Sequence, residues 1–187
     1  TPHEKTFHQL AFSWGVIPLL KDIKDMKEGI EIASDYLLET QLISYGELIV
    51  VTSGTPFGTK GSTNTMVVEN IGDVLIRGLP GEGESVHGEV AIILSIDPKK
   101  KYNVKGKIVV LSDCSKDYEE NLQGALGLIL QNHPDDLHAA LEVNRIAHKY
   151  KIPFLIRADG ACSSLKEGGM VTLDPSKGLV FKGIIES

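Results

Sequence analysis

The stretch "GDVLIRGLPGEGES" (72–85) carries four glycines, a proline and mixed charge in fourteen residues, and it separates two segments of different texture. Such a stretch reads as a linker running into turns, which sets a domain boundary and divides the chain into 1–72 and 73–187. A chain of 187 residues can form one large domain or two small ones, so each half must bury its own core. The 42% apolar and 24% charged content is that of a folded protein rather than a disordered one.

Upstream of the boundary, Thr1, Pro2 and Glu4 stand as N-cap, first-turn proline and capping-box partner, predicting a helix from the first residues. Leu10, Ala11 and Trp14 would form its buried stripe before Gly15, and "VIPLL" (16–20) reads as a buried strand. Asp22 or Asp25 can cap a second helix, in which Ile23, Met26, Ile30, Ala33, Leu37 and Leu38 recur at near-helical spacing to about Leu42. "ELIVVTS" (47–53) and "TNTMVVEN" (63–70) read as strands. Strand, helix and strand in that order predict a thin parallel layer. A helix that opens the chain with no strand before it points to an earlier part of the domain upstream.

Downstream, strands are expected at 88–94, 107–112, 126–130, 153–158, 170–174 and 178–183, the last two joined as a hairpin by "DPSKG". Helices are expected near 116–124 and from about Asp136 to Tyr150, the second with an uneven apolar face of Leu137, Ala140, Leu141 and Ile146.

The net charge of −6 disfavours nucleic acid and anionic membranes as partners. No apolar run has the length of a membrane span, and "TPHEKTFHQL" is too polar for a signal peptide, so a cytoplasmic protein is expected. Cys114 and Cys162 stand far apart without metal-ligand spacing, which indicates neither a zinc site nor a disulfide framework. The basic run "DPKKKYNVKGK" (97–107) reads as a solvated turn, Asp117, Glu119 and Glu120 as an exposed helix face, and His133 and His148 as surface residues. Trp14 reads as a core or interface aromatic.

"TPHEKTFHQLAFSWGVIPLL" and "ELIVVTSGTPFGTKGSTNTMVV" resemble, in order and spacing, the later part of the C-terminal domain of pyruvate kinases, down to the Gly61-Ser62-Thr63-Asn64 ending. "KIPFLIRADGACSSLKEGGMVTLDPSKGLVFKG" resembles the mobile, phosphohistidine-type domain of phosphoenolpyruvate-utilising enzymes, which some bacterial pyruvate kinases carry as a C-terminal extension. The resemblance implies an α/β chain: a partial three-layer parallel-sheet domain, N-terminally incomplete, followed by a β/β/α swivelling domain. It also implies a parent enzyme that moves the phosphoryl group of phosphoenolpyruvate to ADP with magnesium and potassium (Mg and K) in an upstream barrel, assembles as a homo-tetramer, and responds to a phosphorylated effector. The chain itself would hold no cofactor and no catalytic residue.

Two places are candidates for phosphate chemistry. The loop "GTPFGTKGSTNT" (54–65) offers glycine N–H groups, hydroxyls and one lysine to phosphate oxygens. It is no nucleotide P-loop, because Lys60 precedes Gly61 and a strand follows where a helix is needed. The resemblance implies an effector loop with contacts from Thr55, Gly58, Lys60, Gly61 and Ser62, with Thr52 and Ser53 at the strand end; the bland alternative is a turn between strands. The family's main phosphate-binding turn has no counterpart in these residues.

The second place is His138-Ala139-Ala140, which matches the His-Ala-Ala core of a phosphohistidine site at a helix start. Asp136 stands where the family has threonine, and Asp135 adds a second negative charge where a phosphoryl group would sit. Four extra residues separate His138 from Ile152-Pro153, and Arg145 falls one place late. The expectation is a relic histidine in a regulatory or assembly fragment. The rival functions are a stand-alone phosphocarrier acting through His138 and a non-enzymatic binding module.

Overall fold

A computed structural model describes residues 1–54, 59, 61–97 and 100–185. The chain divides into two units, Thr1–Ile71 and Gly72–Ser187.

The first unit contains helices α1 (Glu4–Leu10) and α2 (Met26–Glu39) and strands β1 (Leu48–Gly54) and β2 (Thr63–Asn70). The α2 N-terminus forms as its sequence requires: Asp25 Oδ1 accepts from the Glu28 N–H at 2.9 Å, and Glu28 returns its carboxylate to the Lys24 N–H at 2.8 Å. The helix ends at Glu39, short of the expected Leu42, where the Thr40 hydroxyl donates to the Tyr36 carbonyl at 2.7 Å.

Four expectations fail in this unit. β1 and β2 pair antiparallel, with Val50 opposite Val68 and Thr52 opposite Met66, so there is no parallel layer. The connection between Gly54 and Thr63 is eight residues, too short for the crossover of a dozen or more that a parallel pair needs. Residues 16–20 form no strand; the Thr1 ammonium donates to the Leu19 carbonyl at 2.9 Å and the Lys21 N–H donates to the Thr1 carbonyl at 3.0 Å. With Thr1 so engaged, the N-cap of α1 is His3 and no side chain caps it. The stripe on α1 is not buried either, and Trp14 is 99% exposed. Among the described residues of this unit only Ile71 is buried.

The second unit is built on a seven-stranded mixed sheet. Its strands are β3 (Val74–Arg77), β4 (Val86–Ile93), β5 (Ile108–Leu111), β6 (Gly127–Leu130), β7 (Phe154–Leu155), β8 (Met170–Asp174) and β9 (Leu179–Lys182). Their order is β3-β9-β8-β4-β5-β6-β7, parallel from β4 to β7 and antiparallel elsewhere. A 3-10 turn (Lys116–Tyr118) leads into α3 (Glu119–Leu122); α4 (Leu137–Tyr150) and α5 (Ala161–Ser164) follow.

The fully apolar runs of β5 and β6 are buried on both faces, as central parallel strands require. Because side chains alternate, Val109, Leu111, Leu128 and Leu130 join one core with Val143 and Ile146 of α4. Ile108, Val110 and Ile129 face a second core with Ile76, Val171, Leu173 and Val180 from the antiparallel strands. The buried stripe of α4 is Ala139, Val143, Ile146 and Ala147, whereas Leu137 and Leu141 are 64% and 69% exposed. Of the expected face, Ile146 is buried and Ala140 packs against the core, but the two leucines point outward; the full stripe follows the i, i+4, i+7, i+8 spacing.

The segment read as a linker is structural. It holds β3, and residues 78–82 then run along the free edge of β7. The Leu79 N–H donates to the Ile156 carbonyl at 2.8 Å, and the Phe154 N–H to the Glu82 carbonyl at 3.1 Å. Gly78 and Gly81 donate to Gly178 and Pro175 of the β8–β9 turn at 2.9 and 3.0 Å. A Cβ on Gly81 would overlap the Phe154 carbonyl, so glycine here reflects close backbone approach rather than flexibility.

Candidate functional site

In the first unit, the glycine loop leaves β1 at Gly54 and enters β2 at Thr63. Thr55, Gly58 and Lys60 lie outside the described residues. Gly61 has φ +74°, the left-handed region that glycine tolerates, and the Ser62 hydroxyl donates to the Thr59 carbonyl at 2.7 Å. Ser62 also lies against Gly54, where a Cβ would overlap its side chain and carbonyl. Thr52 and Ser53 sit inside β1, opposite Met66 and Thr65.

In the second unit, His138 is the second residue of α4 and is exposed. The helix terminus beneath it is already capped, for Asp136 Oδ1 accepts from the Ala139 N–H at 3.1 Å. Asp135 lies next to His133, with 3.4 Å between Oδ2 and Nδ1. The loop is fixed by Asn132, which is 5% exposed. Its amide donates to the Asp136 carbonyl at 3.0 Å, and its Oδ1 accepts from the Arg157 N–H at 2.9 Å. Arg157 itself has φ 52°, and its guanidinium donates to the Pro134 carbonyl at 3.2 Å. Sequence reasoning missed both residues; an asparagine two places after a buried strand was the only signal.

Arg145 is occupied elsewhere. Its Nη1 lies 2.7 Å from Glu119 Oε2, and its Nε donates to Glu142 Oε2 at 2.9 Å. Glu119, expected on an exposed face, instead accepts from both Lys149 and Arg145, and these bonds hold its carboxyl down at about 2. Its side chain is only 19% exposed. Beside this cluster the Cys114 thiol is pushed up to about 12, first by burial and then by the Glu142 and Asp113 carboxylates. Such a thiol is a core group, not a nucleophile.

Among the described residues, no group of three or more His, Cys, Asp or Glu side chains could hold a metal ion. No helix among them is long and apolar enough to cross a membrane.

Residues 1–69 match the family described as pyruvate kinase, alpha/beta domain, and residues 103–178 the family described as PEP-utilising enzyme, mobile domain. The chain carries both domains and matches the C-terminal third of pyruvate kinases. A pyruvate kinase of Staphylococcus epidermidis is 30% identical over 184 residues, covering 98% of this chain and 31% of that protein. Pyruvate kinase 2 of Synechocystis sp. is 30% identical over 186 residues, covering 99% of this chain and 31% of its own length. The chain thus spans just under a third of the pyruvate kinases it matches. Among solved structures, holo-form Thermococcus kodakaraensis aconitase X aligns with 59% of this chain and 98% of its own at 19% identity and a TM-score of 0.43, too loose to argue from. Both phosphate candidates fall within the matched segments, the glycine loop in the pyruvate kinase domain and His138 in the mobile domain.

Proposed function

We propose that this chain is the regulatory and assembly part of a pyruvate kinase, with transfer of the phosphoryl group from phosphoenolpyruvate to ADP, and its magnesium and potassium, belonging to a barrel outside these residues. The observation that carries this reading is the alignment of single pyruvate kinases across both units, over 98–99% of the chain. The first unit supports it physically. Val50, Met66 and Val68 present an apolar face of β1 and β2 that is 62%, 72% and 59% exposed, and a two-stranded hairpin is marginal alone. That face is suited to receive the rest of a pyruvate kinase α/β domain, and the glycine loop beside it then serves as one wall of an effector site. The parent would be a cytoplasmic homo-tetramer.

A coupled lactate dehydrogenase assay with phosphoenolpyruvate, ADP, magnesium and potassium tests the division of labour. The chain alone should give no turnover, and co-expressed with a pyruvate kinase barrel it should co-purify and sediment as an assembly of four. Turnover by the chain alone, or failure to co-purify, would contradict the proposal.

A further inference from the structure

The basic run 97–107 has no part in the pyruvate kinase reading, yet residues 100–104 and Lys107 wall a cavity. Past Val90, which exchanges hydrogen bonds with Gly169 and Gly168 at 2.9 and 2.8 Å, β4 has no strand partner on that edge among the described residues. The N–H of Ile92 donates instead to the Glu167 carboxylate at 2.6 Å. Against this open edge lies a cavity of about 320 Å³ lined by Ile92, Lys100, Lys101, Asn103, Lys107 and Glu167. The wall is held by Tyr102, whose hydroxyl donates to the Ser95 carbonyl and accepts from the Asp97 N–H, both at 2.9 Å. The Lys100 ammonium sits 5.3 Å from the centre of the Tyr102 ring.

The lining is net positive. Lys107 is partly neutralised by Glu89 at 3.6 Å, and Glu167 is already engaged by Ile92. Among the described residues Lys101 makes no ion pair. The lining therefore holds three lysines, one of them shared with Glu89, and one occupied carboxylate, in a chain of net charge −6. A cleft of about 700 Å³ beside the ends of β4 and β5 shows the contrast, for there Lys116 stands among Asp117 and Glu120 and the lining is net negative.

We propose that the smaller cavity binds a phosphate monoester, its dianion held by Lys100, Lys101 and Lys107 and oriented by the Asn103 amide. Lysines act here as point charges, which suits a tetrahedral phosphate better than the planar fork of a carboxylate. This is a second anion site, remote in sequence from the glycine loop, and it stands whether or not the chain regulates a kinase.

The test is a titration of the full chain, followed by amide chemical shifts, with inorganic phosphate, glycerol 3-phosphate and neutral glycerol. Phosphate and glycerol 3-phosphate should give saturable shifts at Ala91–Ile93 and 100–107, and glycerol none. The double substitution K100Q/K101Q should weaken binding by about tenfold or more. Absence of saturable shifts, or an equal response from the double variant, would overturn the proposal. So would shifts confined to 61–65, which would favour the effector loop alone. If the lysines merely guard the open edge of β4, K100Q/K101Q will self-associate with its phosphate response unchanged, and the proposal fails.

Discussion

Arg145 meets Glu119 at 2.7 Å and so ties the third turn of α4 to the start of α3. Lys149 joins the same carboxylate, and Glu142 takes the other side of the guanidinium. Glu119 is thus held ionised well below the ordinary carboxylate value of 4.5, at about 2, by hydrogen bonds first from Lys149 and then from Arg145. A carboxyl whose folded pKa is depressed contributes stability that is fully present above its unfolded value and lost as pH falls through the folded one. Thermal melts of the protein and of Glu119→Gln should therefore differ at pH 7, with the variant lower. The gap should close between about pH 4.5 and pH 2. A gap that persists at pH 2 would show that the carboxylate acts through shape and not charge.

Gly81→Ala tests the strap over β7. The added Cβ meets the Phe154 carbonyl, a backbone atom that cannot swing away. Overpacking of this kind destabilises by about 1–3 kcal/mol, and the denaturation midpoint should fall with the slope unchanged. Gly29→Ala is the control: its Cβ would lie 3.4 Å from Ile23 Cγ2, an ordinary contact inside α2. There alanine should stabilise by up to about 1 kcal/mol through helix propensity. A neutral Gly81→Ala would remove the strap as a fixed element.

The strap also marks where the sequence stops being legible. Strands rich in Val, Ile and Leu and bounded by turn residues were found from composition alone, β8 to the residue (170–174) and β5 and β6 within one residue at each end. β3 was lost because four glycines in a short window signal flexibility locally, whereas Gly78 and Gly81 are explained by contact with β7 and its flank and with the β8–β9 turn, far away in sequence. The antiparallel β1–β2 pair was legible in principle, since so short a connection forbids a parallel crossover, but the strand–helix–strand order, with 16–20 taken as a strand, pointed to a parallel layer. At the candidate site, Asp136 at the head of α4 was visible in the sequence; the Asn132–Arg157 bond that fixes its loop spans 25 residues and was not.

The face of α4 separates two readings by mutation. Ile146 is fully buried in the core against β5 and β6, so Ile146→Ala should cost about 2–5 kcal/mol in the denaturation midpoint. Leu137 is 64% exposed, and Leu137→Ala should change stability by no more than about 0.5 kcal/mol. Equal losses at the two positions would mean that the helix is rotated from the orientation described.

His138 offers the sharpest chemical test. It is exposed at the start of a 14-residue helix, a place where partial positive charge favours a phosphoryl group. The Asp136 carboxylate nevertheless takes the Ala139 N–H, and Arg145 is drawn off by Glu119 and Glu142. A phosphoryl group on His138 would meet a fixed negative charge and find no free arginine of α4 to offset it. Incubation with labelled phosphoenolpyruvate should leave the protein without acid-labile label. Asp136→Thr removes the charge, and any label it gains should vanish in Asp136→Thr/His138→Asn. Labelling of the unaltered protein, lost on His138→Asn, would instead make this domain a working phosphocarrier, because the capping carboxylate would then have failed to exclude the phosphoryl group.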